Sequence, residues 1–278
     1  MENIGLLYNP RVKASLPLAQ EIAAWLQDQG IKSWVCSTHA EPSKKACLGE
    51  VDLLITLGGD GTILRAMPLA APFEIPVLGL NLGRVGFLTE CMPDLWQDVM
   101  EEILAGKGMV EERTMFQVSR VRNGAVLCQD AALNDAVISR GALARTVQLE
   151  TYIDGALMTR YVADGLIVAT ATGSTAYSYA VGGPILPPWL DNILLVPVAA
   201  HLSLDRPLVL NADAVVEVVV HNRMPGMLSV DGRMEGELLD GDCVRVARSP
   251  LKARFLRLRQ REDFYRTLVE RLTPRNGV

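Results

Sequence analysis

Residues 51–62 read Val-Asp-Leu-Leu-Ile-Thr-Leu-Gly-Gly-Asp-Gly-Thr. The apolar run Val51–Leu57 predicts a buried strand, and the glycines that follow it at once predict a tight turn at its carboxyl end. That end of a strand is where open α/β sheets bind ligands, and glycine lets the backbone approach a phosphate closely. The stretch therefore predicts a parallel sheet with an anion-binding turn at its edge.

The rest of the first hundred residues repeats this arrangement of strand and helix. Two segments carry apolar residues at helical spacing, and Gly30 and Gly106 stand where their C-terminal caps belong. Further strand-like apolar runs are Ile4–Tyr8, Ile31–Cys36 and Ile75–Leu80. Alternating strands and helices predict a parallel, Rossmann-like α/β domain.

Short β-branched runs separated by Asp-Gly turns dominate from about residue 108 onward. They include Phe116–Val121, Val147–Ile153, Gly165–Ala169, Val215–His221 and Cys243–Ala247. This pattern predicts an antiparallel, β-rich second domain, and the segment Glu262–Leu272 predicts a final helix. The expected division is an α/β domain over residues 1–107, a β-rich domain over 108–257, and a C-terminal helix and tail over 258–278.

Composition narrows the class of protein. The formal net charge of −5 argues against a general nucleic-acid binder. The five cysteines and three histidines are scattered, so no structural metal site is expected, and free thiols suit a reducing cytoplasm. The N-terminus lacks the pattern of a signal peptide, and apolar runs such as Ile193–Ala200 are too short to cross a bilayer. We therefore expect a cytoplasmic protein that binds neither nucleic acid nor membrane.

Asp60 is the candidate catalytic residue. It is a lone carboxylate on a turn whose exposed amides would cradle a phosphate, and a carboxylate there can take the proton from an attacking hydroxyl during phosphoryl transfer. Thr62 is expected to cap the short helix that follows, and Pro68 to limit or kink that helix. The alternative is an ordinary strand-to-helix turn with Asp at a flexible position.

A hydroxyl-rich loop favours nucleotide binding. Asp164-Gly165 precedes a strand that opens into residues 170–178, Thr-Ala-Thr-Gly-Ser-Thr-Ala-Tyr-Ser. Small hydroxyls there can bond ribose and phosphate oxygens, and Tyr177 can pack on a base. By itself the stretch is also typical of a Ser/Thr-rich loop between strands.

The pair Asn134-Asp135 is a third candidate, with Arg140 and Arg145 close behind it. An amide beside a carboxylate can recognise base or ribose edges, and the arginines suit phosphates. The alternative is a polar turn before the strand Ala136–Ser139.

Absent motifs exclude other classes. The sequence contains no Walker A motif and no His-Arg-Asp or Asp-Phe-Gly triplet, so it is neither a P-loop kinase nor a protein kinase. The glycines of Gly79–Gly86 have the wrong spacing for a dinucleotide fingerprint, which argues against a hydride-transfer enzyme.

Taken together and in this order, the motifs resemble the NAD kinase family along essentially the whole chain. The stretches that carry the resemblance are Gly58–Thr62, Asn81–Thr89, Leu133–Asp135, Asp164–Val168, Thr172–Ser178, Gly182–Ile185 and His201–Leu208. The Gly-Gly-Asp-Gly signature is shared with distant lipid kinases and phosphofructokinases. The Thr-Gly-Ser-Thr-Ala-Tyr-Ser loop in company with Asn134 is more specific.

The resemblance implies a fold and an activity. It implies a C-terminal helix that packs back on the first domain, and transfer of the γ-phosphoryl of ATP to the 2′-hydroxyl of the adenosine ribose of NAD, giving NADP. Asp60 would be the base, Mg²⁺ or another divalent cation would accompany ATP, and the protein would be a homo-oligomer, a dimer or a tetramer. The residues that would line the site are Gly61, Arg65, Asn134, Asp135, Arg145, Asp164, Thr172, Thr175, Ala176 and Tyr177.

Several positions depart from the pattern of that family. Asp135 stands where Glu is usual, Val162 where Arg is usual, and Ala171 where Pro is usual. Val162 removes a phosphate-binding cation. Arg233 replaces a usual Gln or Asn and can supply a cation to the phosphate from another direction. Arg233 and Thr62 are therefore also candidate ligand-binding residues. These departures bear on cofactor selectivity more than on the reaction.

Two alternative functions fit parts of the sequence. A lipid kinase shares the glycine-aspartate signature, but it is expected to show an apolar or basic membrane-facing stretch, and the sequence shows none. A non-catalytic NAD(P)-binding sensor would keep the pocket, yet binding alone needs no base, and Asp60 is retained.

Overall fold

The structure is a computed structural model that describes residues 1–39, 48–83, 86–141, 146–201, 204–221 and 224–272. The chain divides into two units, which we call unit 1 (Met1–Glu112 with Ala253–Val278) and unit 2 (Arg113–Lys252). The chain therefore leaves unit 1 once and returns to it at the end.

Unit 1 contains the predicted parallel sheet. Its strands lie in the order β2-β1-β3-β4, and each neighbouring pair is parallel, which confirms the prediction. The strands are β1 (Asn3–Tyr8), β2 (Lys32–Ser37), β3 (Leu53–Gly58) and β4 (Val77–Asn81). The helices between and after them are α1 (Ser15–Asp28), α2 (Asp60–Ala70) and α3 (Trp96–Leu104).

The core of unit 1 follows from the apolar spacing of these elements. β3 and β4 are buried along their whole length, as expected for strands covered on both faces. α1 buries Ala19, Ile22 and Leu26, which share one face at helical spacing, against this sheet. After α1 the chain turns at Gly30, whose φ of 76° lies in the left-handed region that glycine adopts without strain.

The end of the chain completes unit 1. β16 (Cys243–Arg257) places Phe255 beside Val77 of β4 in parallel register. The predicted final helix is observed as α5 (Asp263–Leu272), and the Arg271 guanidinium lies over the Phe87 ring. The C-terminal helix thus returns to the first part of the fold, as the resemblance implied.

Unit 2 is built from antiparallel strands, as predicted. Six of them form a sheet in the order β12-β11-β10-β7-β14-β15. The other strands pair as β16-β13-β8-β9 and as β5-β6. The strands not yet defined are β5 (Met109–Arg122), β6 (Ala125–Ala132), β7 (Asp135–Arg140), β8 (Val147–Ile153), β9 (Ala156–Ala163), β10 (Gly165–Thr170), β11 (Asn192–Val198), β12 (Leu208–Asn211), β13 (Val216–His221), β14 (Gly226–Val230) and β15 (Arg233–Leu238).

Alternation along the strands of the six-stranded sheet gives it two apolar faces. Ala136 and Ile138 of β7 join the main core of unit 2, whereas Val137, which lies between them, joins a smaller cluster with Ile167 and Val196. A short helix, α4 (Tyr177–Ala180), follows β10 and the turn at its end. The hydroxyl-rich loop therefore follows a strand, β10, that is buried along its whole length.

One detail of α2 agrees with the sequence-based expectations and one differs. Pro68 lies inside α2, and the helix ends two residues later at Ala70. Thr62 does not cap α2: the N-cap residue is Gly59, and its position forms no side-chain capping bond. The helix begins one residue after the glycine pair, so Thr62 falls within its first turn, and its backbone N–H bonds the Gly59 carbonyl instead.

Candidate active site

The Asp60 carboxylate is fixed by backbone amides of the segment that follows β4. Its Oδ2 accepts a hydrogen bond of 2.7 Å from Phe87 N–H, and its Oδ1 accepts one of 3.0 Å from Leu88 N–H. Asp60 is half-buried at the first residue of α2, where the helix dipole favours a negative charge. Because each oxygen has accepted one bond, each retains acceptor capacity for a ligand.

Gly86 is the close neighbour that allows this arrangement. A Cβ on Gly86 would lie 1.8 Å from Asp60 Oδ1, so no other residue fits without moving the carboxylate. Gly58 is also needed close to this turn, since a Cβ added at Gly58 would lie 2.1 Å from Thr62 Oγ1. The glycines of both motifs therefore let backbone and side chains pack tightly around Asp60.

A buried ion pair between Arg257 and Glu90 supports the segment whose backbone amides bond Asp60. Arg257 Nη1 donates to the Leu88 carbonyl at 2.8 Å and to Glu90 Oε2 at 3.0 Å, and its Nε bonds Glu111 at 3.0 Å. Glu90 Oε1 in turn accepts the backbone N–H groups of Leu258 and Arg259. The sequence analysis did not single out Glu90 or Arg257, because nothing in the sequence pairs two residues so far apart.

The other predicted residues of this turn lie beside Asp60 on α2. Gly61 and Arg65 are exposed, and Thr62 is buried with an Oγ1 that bonds no partner within the described residues. Arg84 and Val85, which belong to the Asn81–Thr89 stretch, lie outside the described residues.

Asp231 organises the candidate dinucleotide site of unit 2. Its Oδ1 accepts N–H bonds from Asn134 (2.7 Å) and Asp135 (3.1 Å), and its Oδ2 accepts one from Leu133 (2.8 Å). Burial raises the pKa of Asp231, and these three amide bonds oppose that rise. The sequence showed Asp231 only as part of an Asp-Gly turn; its role in fixing the Asn134-Asp135 pair depends on β14 lying beside β7.

Asp135 is the first residue of β7, rather than part of a preceding turn, and its side chain is buried. Burial, and then the charge of the neighbouring Asp231, raises the pKa of Asp135 to about 7. Two carboxyl groups this close in a buried place resist double ionisation. The Asp135 carboxyl is thus poised to change charge near neutral pH.

The hydroxyl-rich loop packs directly on Asn134. Thr170 Oγ1 donates to the Leu133 carbonyl at 2.6 Å and accepts from Gly173 N–H at 3.1 Å. A Cβ on Gly173 would lie 2.1 Å from the Asn134 carbonyl oxygen. The loop and the Asn134-Asp135 pair therefore form one structure.

The predicted loop residues differ in their access to a ligand. Thr172 is buried, Thr175 and Ala176 are partly exposed, and Tyr177 is 46% exposed. Ser174 is buried, and its Oγ donates a hydrogen bond to the Leu186 carbonyl and accepts one from the Leu186 N–H, so its one hydroxyl proton is already used. Tyr177 is thus the aromatic face that this loop presents to solvent.

The remaining predicted residues are Asp164, Arg233 and Arg145. Asp164 pairs with Arg140, at 3.2 Å between Oδ1 and Nε. Arg233 lies 3.8 Å from Asp130 and 3.9 Å from Glu235, and its Nε and Nη2 are buried without a hydrogen-bond partner among the described residues. Its charge also acts on Asp231, which places it near the site. Arg145 lies outside the described residues.

Comparison with known proteins assigns the family. Residues 4–108 match the ATP-NAD kinase N-terminal domain, and residues 133–258 match the ATP-NAD kinase C-terminal domain. The chain belongs to the NAD kinase family. An NAD kinase of Chloroflexus aurantiacus is 44% identical over 98% of this chain and 99% of its own length, and one of Dehalococcoides mccartyi is 39% identical over 99% and 97%.

Solved structures of NAD kinases share the fold. A yeast NADH kinase complexed with NADH superposes with a TM-score of 0.89 at 24% identity, covering 100% of this chain and 90% of its own. An NAD kinase of Archaeoglobus fulgidus in complex with ATP gives 0.73 at 25% identity, with coverage of 96% and 97%. The activity of this chain is the ATP-dependent phosphorylation of NAD, in NADP biosynthesis, and the lipid-kinase alternative is set aside.

The structure adds one finding on membranes. None of its described helices is both long enough and apolar enough to cross a bilayer.

Proposed function

We propose that Asp60 is the general base of this kinase and that the acceptor is the 2′-hydroxyl of the adenosine ribose of NAD. The observation that carries the proposal is the fixed carboxylate on the glycine turn, with Phe87 and Leu88 amides on its two oxygens. Each oxygen keeps a lone pair for a hydroxyl proton. Geometry of this kind supports proton abstraction during phosphoryl transfer.

The proposed step transfers the γ-phosphoryl group of ATP to the ribose. The ribose 2′-oxygen forms a bond to the γ-phosphorus of ATP, and the bond from that phosphorus to the bridging oxygen of ADP breaks. The hydroxyl proton passes to the Asp60 carboxylate, and ADP leaves with the electron pair of the broken bond. Gly61, Thr62 and Arg65 lie in the first two turns of α2 and are proposed to contact the reacting groups.

The dinucleotide is proposed to bind through the cluster that Asp231 organises. Asn134 and Asp135 would bond polar edges of NAD, and Tyr177 would pack on a base because it is the exposed ring of the loop. The yeast relative was solved with NADH, which supports a dinucleotide site in this fold. The remaining proposed contacts are Arg145, Asp164, Thr172, Thr175, Ala176 and Arg233.

ATP is proposed to enter as its magnesium complex. The described residues contain no group of three or more His, Cys, Asp or Glu side chains placed to hold a metal ion. Mg²⁺ commonly keeps several waters and is held by substrate phosphates with one or two carboxylates, which suits a cation that arrives with ATP. The protein is further proposed to be cytoplasmic, and the free cysteines Cys36, Cys91, Cys128 and Cys243 agree with a reducing compartment. It is also proposed to form a homo-oligomer, either a dimer or a tetramer.

The base assignment is tested with Asp60→Asn against a matched control, Asp52→Asn. Asp52 also accepts two backbone amides, those of Glu2 and Asn3, but it lies before β3 instead of after it. Loss of the base should lower kcat by about 10²- to 10⁴-fold while the fold is retained. Asp52→Asn should keep kcat near that of the unmodified chain.

The measurements are NADP formation with NAD and Mg-ATP, and circular dichroism with a melting curve. NADP formation by Asp60→Asn within a few-fold of the unmodified protein would remove Asp60 from this role.

A further inference from the structure

Arg271, on the last turn of α5, is a partly buried cation whose charge interacts with that of the proposed base. Its Cζ lies 4.3 Å from the centroid of the Phe87 ring, and the backbone N–H of the same Phe87 bonds Asp60 Oδ2 at 2.7 Å. Arg271 and Asp60 therefore contact one residue from two sides. Burial lowers the pKa of Arg271 to about 10; the Asp60 carboxylate opposes this lowering, and Arg259 adds to it.

Two nitrogen donors of this guanidinium have no hydrogen-bond partner among the described residues. They are Nε and Nη2, and both are buried. Arginine stays charged in proteins, and a buried charge without a partner is destabilising because water is lost and nothing replaces it. An apolar side chain could pack on Phe87 without that cost, so packing alone does not explain an arginine here.

The missing partner must be an anion or a strong acceptor. A guanidinium presents its N–H groups as a planar fork that matches two oxygens of a phosphate. The reaction of this family brings a phosphate to the hydroxyl whose proton Asp60 is proposed to take. The unpaired donors thus lie near the place where the negatively charged phosphoryl group is proposed to be transferred.

We propose that Arg271 is a further catalytic residue, which binds the transferring γ-phosphoryl group of ATP through its guanidinium. This inference rests on the proposed role of Asp60. The bonds made and broken are those of the phosphoryl transfer described above; Arg271 gives up no proton and stabilises the charge on the equatorial oxygens. In the absence of substrate, stacking on Phe87 holds the guanidinium in place.

The test compares Arg271→Met with Arg266→Met on the same helix. Methionine keeps an unbranched side chain that can pack on Phe87 but removes the charge and the donors. Arg266 is 69% exposed and pairs with Asp263, so it serves as the matched control. Arg271→Lys keeps the charge and loses the planar fork.

We expect Arg271→Met to lower kcat by about 10²- to 10³-fold, the usual effect of losing one donor to a transition state. Its melting temperature should stay the same or rise, since an unpaired buried charge is removed. Arg271→Lys should be intermediate, Arg266→Met should keep the kcat of the unmodified chain, and added guanidinium at non-denaturing concentration should restore part of the activity of Arg271→Met.

Other outcomes overturn the inference. If Arg271→Met keeps its kcat while Asp60→Asn is inactive, Arg271 does not act on the phosphoryl group and the proposed base still stands. If Arg271→Met loses activity only in proportion to its melting temperature, and guanidinium restores nothing, the residue is structural. If Asp60→Asn is active, the proposed base itself fails, and the inference that depends on it falls with it.

Discussion

Asp60 in unit 1 and Asp231 in unit 2 are constructed alike. Each follows closely on a strand, β3 or β14, and each carboxylate accepts backbone amides from a segment distant in sequence. The two carboxylates differ in how many amide hydrogen bonds they accept and in their exposure to solvent. Half-buried Asp60 accepts two such bonds, one on each oxygen, whereas buried Asp231 accepts three.

The difference separates a reactive carboxylate from a structural one. A carboxylate offers about four acceptor positions in total. Asp231 has filled both positions of Oδ1, and its burial leaves a ligand little room. Asp60 has one position left on each oxygen and lies near the surface. Amide bonding alone therefore does not mark a reactive carboxylate; access and unused acceptor capacity at the glycine turn distinguish Asp60 from Asp231.

Gly86→Ala should have the largest effect, because it displaces Asp60 without altering it. The new Cβ would meet Oδ1 at 1.8 Å, so the carboxylate must leave its two amides. We expect kcat to fall by roughly 10²- to 10⁴-fold, as if the base were removed. Steady-state NADP formation measures this, with Gly49→Ala, whose Cβ would meet nothing within 4 Å, as control.

Combining Gly86→Ala with Asp60→Asn sharpens the result. Two changes that act through one group are not additive, so the double variant should be little worse than either single variant. Full additivity would mean that Gly86 acts by another route.

Asp231→Asn should act mainly on stability and only secondarily on turnover. An amide NH₂ in place of one oxygen would face a backbone N–H, leaving a buried donor without an acceptor, at about 1–3 kcal/mol. The melting temperature should fall by roughly 2–12 °C, at about 2–4 °C per kcal/mol. The KM for NAD should rise more than kcat falls, since the Asn134 segment loses its support. An unchanged melting temperature together with a large loss of kcat would reverse the comparison.

Asp135→Asn should have the smallest effect, visible as a change in pH dependence. The folded chain holds the Asp135 proton up to about pH 7, whereas the unfolded chain loses it near 3.8. The contribution of this group to the free energy of unfolding therefore falls as pH rises between those values. Asparagine has no such proton, so the variant should melt above the unmodified protein at pH 8, and the difference should be smaller at pH 5, where only part of the destabilisation has developed.

The control for that measurement is Asp28→Asn, an exposed position at the end of α1. It should shift the melting temperature by the same small amount at both pH values. A pH-independent shift for Asp135→Asn would show that the carboxyl does not titrate in this window.

Local sequence patterns were sufficient for most of the fold. Buried runs such as Leu53–Gly58 carry their strand signal within a few residues, and the glycine turns give their ends. β16 shows where this fails: the prediction ended at Ala247, but the strand runs to Arg257. Its second half contains a proline and several cations, and Arg257 is buried only because Glu90 and Glu111 neutralise it.

The candidate site was predictable as a set of residues but not as an arrangement. Asp60, Asn134 and the hydroxyl-rich loop stand out by residue type and glycine content. The backbone amides that fix these residues do not stand out in the sequence. Those that bond Asp60 are 27 and 28 residues away from it, and those that bond Asp231 are 96 to 98 residues away. These partners follow from which strands become neighbours, which no local pattern specifies.

The return of the chain to unit 1 has a consequence for its synthesis. The segment that carries the amide donors of Asp60 is made early, but Arg257, which bonds the Leu88 carbonyl and Glu90, is translated only after all of unit 2. A nascent chain that has emerged as far as Glu112 therefore contains every predicted residue of the Asp60 turn and none of its C-terminal support. Domains generally fold as units as they leave the ribosome, N-terminal first. A product terminated before Arg257 would therefore contain Asp60 and its two amide donors but not the arginine that bonds the Leu88 carbonyl and Glu90.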